Sequence, residues 1–212
     1  MILTHGANSL ERGGGGQTVI IGGKEYPTVL MPDGNIWLAQ NLDYAWEGLT
    51  VGSSSYSKET QLANYYNNDE NTYGWNGKKC GLLYNAVAKR YLQNNRASLI
   101  PGWHVASDDE WSGLKTAVGN DGTKLKAVDN SVGGSWPTGW NGTDDYGFSV
   151  LPGGQRNPKD YNDLNSMARF WTSSAVMTNY DRDYYFTTES SITRDYDDVW
   201  TSYSIRLVKD AT

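Results

Sequence analysis

The strongest local prediction of structure comes from GWHVASDDEWSGLKTAVG, residues 102–119. Ser107 and Glu110 have the spacing of a capping box, in which each side chain bonds a backbone N–H of the other at the start of a helix. Gly119 is typical of the position just after a helix. The apolar residues that recur between them at helical spacing are Trp111, Leu114 and Val118. The stretch therefore predicts a helix that begins after Ser107 and ends near Val118, with one buried face.

A second helix is predicted on the N-terminal side of this stretch, from LLYNAVAKRYLQ at residues 82–93. Its apolar stripe would consist of Leu83, Val87 and Tyr91, with helix-favouring alanines between them.

Strands are predicted on both sides of the helices. Short apolar runs separated by turn residues occupy 19–21, 24–31 and 36–38. Residues 43–73 are polar and aperiodic, which predicts long loops, whereas the C-terminal third predicts short strands ending at 204–209. Two helices combined with irregular strands predict the α+β class.

Composition limits the classes of partner and compartment. The formal net charge is −6 and there is no basic run, so nucleic acid is not an expected partner. No signal peptide and no apolar run long enough for a bilayer is recognisable, so neither cleaved export nor membrane insertion is expected. Residues 1–17, with glycines at 13–16, are predicted to be a flexible tether, followed by one domain at 18–212.

Residues able to perform catalysis or bind metal are few. The chain has two histidines and one cysteine, Cys80, which excludes a conventional zinc site. His104 precedes the capping box and is interpreted as structural, so no catalytic residue and no enzyme activity is predicted. Calcium remains an alternative to having no cofactor, since oxygen-rich clusters occur at 67–71, 144–145 and 195–198, although none has the EF-hand pattern.

An unusual segment is NYDRDYYFTTESSITRDYDDVWTSYSIRL, residues 179–207. It combines Tyr, Asp, Ser and Thr, which is typical of a protein-binding surface in which tyrosines supply rigid contact area. An ordinary β surface is the competing interpretation, because Tyr and Thr are good strand formers. Asp is depleted in strands, which favours the binding surface. Binding of a sugar is a further interpretation of this surface, because the chain is rich in Trp and Tyr.

Several motifs in order resemble one known family. The motifs are KEYPTV (24–29), WLAQNL (37–42), GLLY (81–84), GWHVASDDEW (102–111), GTKLK (122–126), NGTDDYGFS (141–149), LPGG (151–154), FWTSS (170–174) and IRLVKD (205–210). Together they resemble the Fibrobacter succinogenes major paralogous domain over about residues 19–210. The resemblance implies a C-type-lectin-like fold, with two helices packed on a small twisted antiparallel sheet and many loops, close to the formylglycine-generating enzymes.

The chain departs from two activities associated with that fold. Formylglycine-generating enzymes use a pair of cysteines to bind copper, and this chain has only Cys80. Sugar-binding C-type lectins carry Glu-Pro-Asn or Gln-Pro-Asp with Trp-Asn-Asp for calcium, and only the partial Trp140-Asn141-Gly142 is present. Both departures favour a binding protein that is not an enzyme, with a carbohydrate-binding lectin-like protein as the alternative.

The resemblance also implies a relation to the variable proteins of diversity-generating retroelements, in which adenine mutagenesis rewrites a C-terminal segment. Asn codons mutated at adenine yield Tyr, Asp, Ser and Thr but never Lys, and no Lys occurs between Phe170 and Val208. The expected variable region is about 175–203. The ligand would be an unidentified protein or cell-surface molecule. The protein itself would be carried on a virion, or displayed on a cell surface reached by another export route.

Within the segment 179–207, Ile192, Arg194 and Ile205 are interpreted as fixed frame residues, and Trp200 is counted both as frame and as contact. The predicted ligand-binding residues are Val176, Thr178, Tyr180, Asp181, Asp183, Tyr184, Thr187, Thr188, Ser190, Asp195, Tyr196, Asp197, Asp198, Trp200 and Ser202.

Overall fold

The computed structural model of the protein describes residues 17–53, 59–65, 80–128, 139–158 and 160–211. The predicted tether, apart from Gln17, and the oxygen-rich cluster at 67–71 lie outside these ranges. In the described ranges the strands, in chain order, are β1 (Thr18–Ile21), β2 (Lys24–Leu30), β3 (Ile36–Leu38), β4 (Thr50–Val51), β5 (Leu62–Asn64), β6 (Leu83–Asn85), β7 (Trp103–Val105), β8 (Gly153–Arg156), β9 (Tyr161–Leu164), β10 (Ala168–Met177), β11 (Tyr180–Phe186), β12 (Thr193–Asp198), β13 (Ser202–Tyr203) and β14 (Leu207–Lys209). The helices there are α1 (Ala86–Asn94), α2 (Arg96–Leu99) and α3 (Asp108–Ala117).

The strands form two sheets. The first has the order β1-β2-β3-β14-β7, and all of its neighbours are antiparallel. Its last strand in sequence, β14, lies in the interior, where Val208 pairs with Trp37 on one side and His104 on the other. The second sheet has the order β12-β11-β10-β8-β13-β6-β5-β4, with β9 paired to β8.

The core has two main parts, and α3 supplies the centre of one of them. Trp111 of α3 lies 5.0 Å, ring centroid to ring centroid, from Trp37 of the first sheet and 5.2 Å from Phe170 of the second. The other part joins α1 to the first sheet through buried Leu92, Leu38 and other apolar side chains. No helix in the described ranges is both long and apolar enough to cross a membrane.

The predicted α+β class with a C-type-lectin-like arrangement is wrong. Fourteen strands in two curled sheets dominate the described residues, whereas the three helices have nine, four and ten residues. Part of the error lies in residues 43–73, where the polar sequence was expected to form only loops but contributes β4 and β5. Short strands of two or three residues carry too little periodicity to be recognised from sequence.

The two predicted helices have different outcomes. The capping box that starts α3 is confirmed, with the Ser107 side chain accepting from Glu110 N and Glu110 accepting from Ser107 N. The other helix, α1, begins only after Asn85, whose side chain caps it by accepting from Ala88 N at 2.9 Å. The predicted apolar stripe is wrong, because Leu83 belongs to β6 and Tyr91 is exposed.

One arginine connects the C-terminal strands to two other parts of the fold. Arg206 is fully buried and donates hydrogen bonds to Asn41 Oδ1, Leu38 O and Phe148 O, each at 2.8 Å, and to Ser149 O at 3.0 Å. Burial lowers the pKa of this guanidinium to about 9. Four oxygen acceptors replace the water that the charge loses on burial.

Candidate functional site

The first part of the unusual segment forms β11 and β12, which together with the preceding β10 make a three-stranded unit. Side chains alternate between the two faces of a strand, and directly paired residues of antiparallel strands share a face. The register pairs Asp181 with Asp197 and Asp183 with Asp195 on one face, which we call the carboxylate face. The opposite face, which we call the tyrosine face, carries Tyr180 paired with Asp198, Arg182 with Tyr196, and Tyr184 with Arg194.

Arg169 of β10 organises the carboxylate face. Its guanidinium donates two hydrogen bonds to Asp183, at 3.0 and 3.1 Å, one to Asp197 at 3.0 Å and one to Asp195 at 3.3 Å. Its carbon Cζ lies 4.6 Å from the ring centre of Tyr203, whose hydroxyl donates to Asp197. Three carboxylates therefore share one buried arginine.

Asp183 is the most deeply buried of these three carboxylates. Burial raises its pKa to about 7, while the ion pair with Arg169 and the hydrogen bonds from it act in the opposite direction. The neighbouring Asp195 and Asp197 add to the rise, since like charges disfavour ionisation.

Asp181 is held by α1 rather than by Arg169. Its carboxylate is 0 % exposed and lies 2.7 Å from Lys89 Nζ, whose side chain is 1 % exposed. Arg90 donates to the same carboxylate at 2.6 and 3.1 Å from the solvent side. This side chain therefore connects β11 to α1 inside the protein.

The tyrosine face is buried at one end and exposed at the other. Tyr184 packs in the core, and its hydroxyl donates to Asp108 of α3, which also accepts from Arg194 at 2.8 Å. Towards the other end, the rings of Tyr180 and Tyr196 meet edge to face at 5.8 Å.

An exposed cluster forms at this end of the hairpin. Tyr196 is 51 % exposed and Met177, which pairs with Tyr180, is 57 % exposed. The guanidinium carbon of Arg182 lies 5.7 Å from the Tyr196 ring centre. We call Met177, Tyr180, Arg182 and Tyr196 the aromatic patch.

The loop between β11 and β12, residues 187–191, lies at the opposite end of the hairpin. β11 has seven residues, which separates the two ends by about 20 Å. Thr188, Ser190 and Ser191 in this loop are exposed. The predicted contacts are therefore not gathered in one patch but divided between two ends.

The predicted ligand-binding residues fall into three classes of burial. The exposed ones are Thr178, Tyr180, Thr188, Ser190 and Tyr196. The half-buried ones are Val176, Thr187, Asp195, Asp197, Asp198 and Trp200. The buried ones are Asp181, Asp183, Tyr184 and Ser202. A buried side chain has no area to offer a partner in this conformation, so the last four lie within the frame.

Sequence reasoning missed three residues of this region. Met177 and Arg182 belong to the aromatic patch, and Arg169 holds the carboxylate face. Pairing of a ten-residue strand with the one that follows it would have placed Met177 beside Tyr180, but Arg169 gives no local signal of its role. The proposed frame residues Ile192 and Ile205 are buried, and Arg194 is paired with Asp108.

The described residues contain no group of three or more His, Cys, Asp or Glu side chains arranged to hold a metal ion. Asp144, from one of the oxygen-rich clusters, accepts from the Ser149 backbone at 2.8 Å and from its hydroxyl at 2.6 Å. Cys80 is buried, which raises the pKa of its thiol to about 12 and keeps it protonated.

His104 lies in an open groove of about 640 Å³ near the end of β14. Its Nε2 is 2.7 Å from Glu110 Oε1 and its Nδ1 is 2.7 Å from Asp210 Oδ1. The hydrogen bond to Glu110, together with that to Asp210, raises the pKa of the imidazole. Because both nitrogens face carboxylates, the favoured form is the cation that donates from both.

Comparison with protein families identifies the domain. Residues 33–209 match the family model of the Fibrobacter succinogenes major domain. The chain belongs to this family. The family part of the expected resemblance is thus confirmed, and the match runs from the turn before β3 to the end of β14, leaving β1 and β2 outside. Neither the curated proteins nor the solved structures gave a match.

Proposed function

We propose that this member of the Fibrobacter succinogenes major domain family is a non-enzymatic binding protein whose contact surface is diversified by a retroelement. The observation that carries the proposal is the aromatic patch, where two tyrosines and a methionine are exposed beside a half-buried arginine, at the end of a hairpin in which Asp181, Asp183 and Tyr184 are buried. The partner is a protein on a cell surface, met by a virion-borne or surface-displayed form of the protein.

The chemistry of the aromatic patch supports this function. Tyr and Arg carry much of the binding energy at protein interfaces, since each combines a large apolar area with hydrogen-bonding groups. Tyr180 and Tyr196 already touch each other, so little side-chain entropy remains to be lost when a partner covers them. Exposed apolar side chains gathered in one place favour an interaction site over a plain surface.

The frame beneath the patch supports diversification. Ion pairs of Asp181 with Lys89 and of Asp183 with Arg169 fix β11 from the carboxylate face. Residues on the outside of such a frame can change while the backbone keeps its position.

The DNA around the gene provides the first test. We expect a nearby repeat of the coding segment for residues 175–203, differing only where the template has adenine, together with a reverse transcriptase gene. We further expect differences at codons for exposed residues such as Tyr180 and Tyr196, and identity at the codons for Asp181 and Asp183. The absence of such a repeat refutes diversification.

Binding itself is tested with purified, fluorescently labelled protein on a panel of bacterial cells. We expect Tyr180→Ala with Tyr196→Ala to lower binding at least about tenfold, because interface tyrosines commonly contribute 1–2 kcal/mol or more each. Tyr91→Ala is the matched control, since Tyr91 is a similarly exposed tyrosine (39 %) on α1. Equal binding by both variants contradicts the proposed surface.

The carbohydrate-binding alternative rests on the same tyrosines, because an exposed aromatic ring can also stack on a sugar. A glycan array probed with and without a calcium chelator separates the two functions. Binding to a defined glycan that is lost in the Tyr180 and Tyr196 variant supports the lectin-like protein.

A further inference from the structure

The loop 187–191 is held in an unusual way, through its backbone and by one segment of the chain, residues 120–126. Lys126 is completely buried, and its ammonium donates to Thr187 O and Glu189 O, each at 2.9 Å. The same ammonium lies 4.9 Å from the ring centre of Trp140. The charge is thus solvated by carbonyl groups and an aromatic face.

Two further contacts from the same segment also reach backbone atoms. Gly122 N donates to Ser190 O at 2.5 Å, and Asn120 Oδ1 accepts from Ile192 N at 3.0 Å. A Cβ atom on Gly122 would lie 3.1 Å from Ser190 O, so glycine permits the close approach. The loop is therefore held at residues 187, 189 and 190, and at residue 192 directly after it, without help from the side chains that it exposes.

The flanks of the loop are anchored in the core. Phe186 and Ile192, which immediately precede and follow it, are buried in the cluster around Trp111. Between these anchors the only hydrogen bond to a loop side chain within the described residues is local, from Glu189 N to Thr187 Oγ1 at 3.2 Å. In the described part of the chain, the side chains of Thr188, Ser190 and Ser191 make no hydrogen bond or ion pair.

The other end of the hairpin is built differently. There Asp198 accepts from Trp200 N at 3.0 Å through its side chain, and Asp197 accepts from Asp198 N, Arg169 and Tyr203. A substitution at Asp197 or Asp198 removes part of the frame, whereas one at Thr188 removes only a hydroxyl and a methyl group from the surface.

We infer that loop 187–191 is a second contact loop, in which Thr188, Ser190 and Ser191 set specificity for a protein partner and Lys126 is the positioning residue. This rests on the proposed binding function and adds where its specificity resides. Main-chain anchoring keeps the loop in one shape whatever those three side chains are. A preorganised loop loses less entropy on binding, which favours affinity.

Stability measurements test this inference without any partner. For Thr188→Ala with Ser190→Ala and Ser191→Ala we expect the thermal midpoint to shift by less than about 2 °C. For Lys126→Met we expect a loss of at least about 4 °C, because the carbonyls of Thr187 and Glu189 lose the buried ammonium that bonds them. Lys124→Met is the matched control, since Lys124 lies in the same segment but donates to Val118 O.

Hydrogen exchange localises the effect. In Lys126→Met the amides of Gly122 and Ile192 should exchange at least about tenfold faster, because the loop that they hold opens more often. A triple alanine variant whose thermal midpoint falls by about 4 °C or more overturns the inference, and this outcome can be reached even if Lys126→Met fails to fold.

A selection experiment tests the contact role with lysozyme as a probe protein. Libraries randomised at 188, 190 and 191 are displayed on yeast in the native, Lys124→Met and Lys126→Met backgrounds. We expect lysozyme binders from the first two and at least about tenfold fewer from the third, normalised to displayed protein. Equal yields from all three, or no binders from any, overturn the inference. Equal cell binding by the Tyr180 and Tyr196 variant and by Tyr91→Ala, with these results intact, would instead contradict the proposed function and leave the loop inference standing.

Discussion

Replacing Asp181 tests whether this residue is part of the frame that holds the fold or a contact that meets the ligand. Asp181 belongs to the segment whose composition predicts replaceable ligand contacts, yet its carboxylate is 0 % exposed and pairs with Lys89 at 2.7 Å. If it acts as frame, Asp181→Ala must destabilise the fold. If it acts as a contact, the substitution should alter only binding.

The magnitude follows from what Asp181→Ala leaves behind. Arg90 is 37 % exposed and can turn to water, so its loss of a partner costs little. Lys89 is 1 % exposed and keeps a buried ammonium without a carboxylate. Removing one partner of a buried pair typically costs about 3–5 kcal/mol. At about 2–4 °C per kcal/mol for a chain of this size, the thermal midpoint should fall by about 6–20 °C.

The assay is urea denaturation followed by tryptophan fluorescence, supported by thermal melts. Lys89→Met combined with Asp181→Leu is the informative second variant, because it removes both buried charges and should recover most of the lost stability. Tyr196→Ala is the control on the same hairpin. As an exposed side chain its loss should change the free energy of unfolding by less than about 0.5 kcal/mol.

The reasoning is refuted if Asp181→Ala unfolds within about 1 kcal/mol of the native protein, a difference close to that of an ordinary substitution. It is also refuted if the double variant is less stable than Asp181→Ala, because the buried lysine would then not be the cause of the cost.

Three further outcomes are expected. The imidazole of His104, which makes hydrogen bonds to both Glu110 and Asp210, has a raised pKa. Its contribution to stability is therefore complete below about pH 6.5 and is lost as the pH rises through the folded-state pKa. His104→Gln should abolish that part of the pH dependence in urea titrations, and an unchanged slope contradicts it. Gly142→Ala should prevent correct folding, because the new Cβ would lie 2.1 Å from Ala127 O, whereas Gly113→Ala, with open space around it, should be neutral or stabilising in circular dichroism melts. Calcium or a chelator should move the thermal midpoint by less than about 1 °C, because the carboxylate oxygens of Asp183, Asp195 and Asp197 already accept hydrogen bonds from Arg169, and a clear rise with calcium contradicts this.

The features that were predictable from sequence are those that depend on neighbouring residues. The capping box at Ser107 and Glu110 is a contact over three positions, and it appears as expected. The turn between β1 and β2 is equally local, since Gly22 and Gly23 both have positive φ, at 57° and 78°. In each case the residue type itself specifies the backbone conformation.

The features that were not predictable depend on contacts between distant positions. An alternating sequence such as that of β11 suggests that its aspartates face water. They are instead buried, because Asp181 meets Lys89 and Asp183 meets Arg169, and no periodicity within β11 reveals those partners. The α+β expectation failed for a related reason, since most of the missed strands are short and exist only through their pairing.

The position of β14 constrains how the protein is made. Residues 207–209 fill the gap between β3 and β7, so a nascent chain holds those two strand edges open until residues 207–209 have been synthesised. Pairing of Val208 with Trp37 closes a long stretch of chain, which slows folding. Open strand edges recruit other chains in the meantime. Yield in a cell should therefore depend on chaperones and on synthesis rate as much as on the stability of the finished fold.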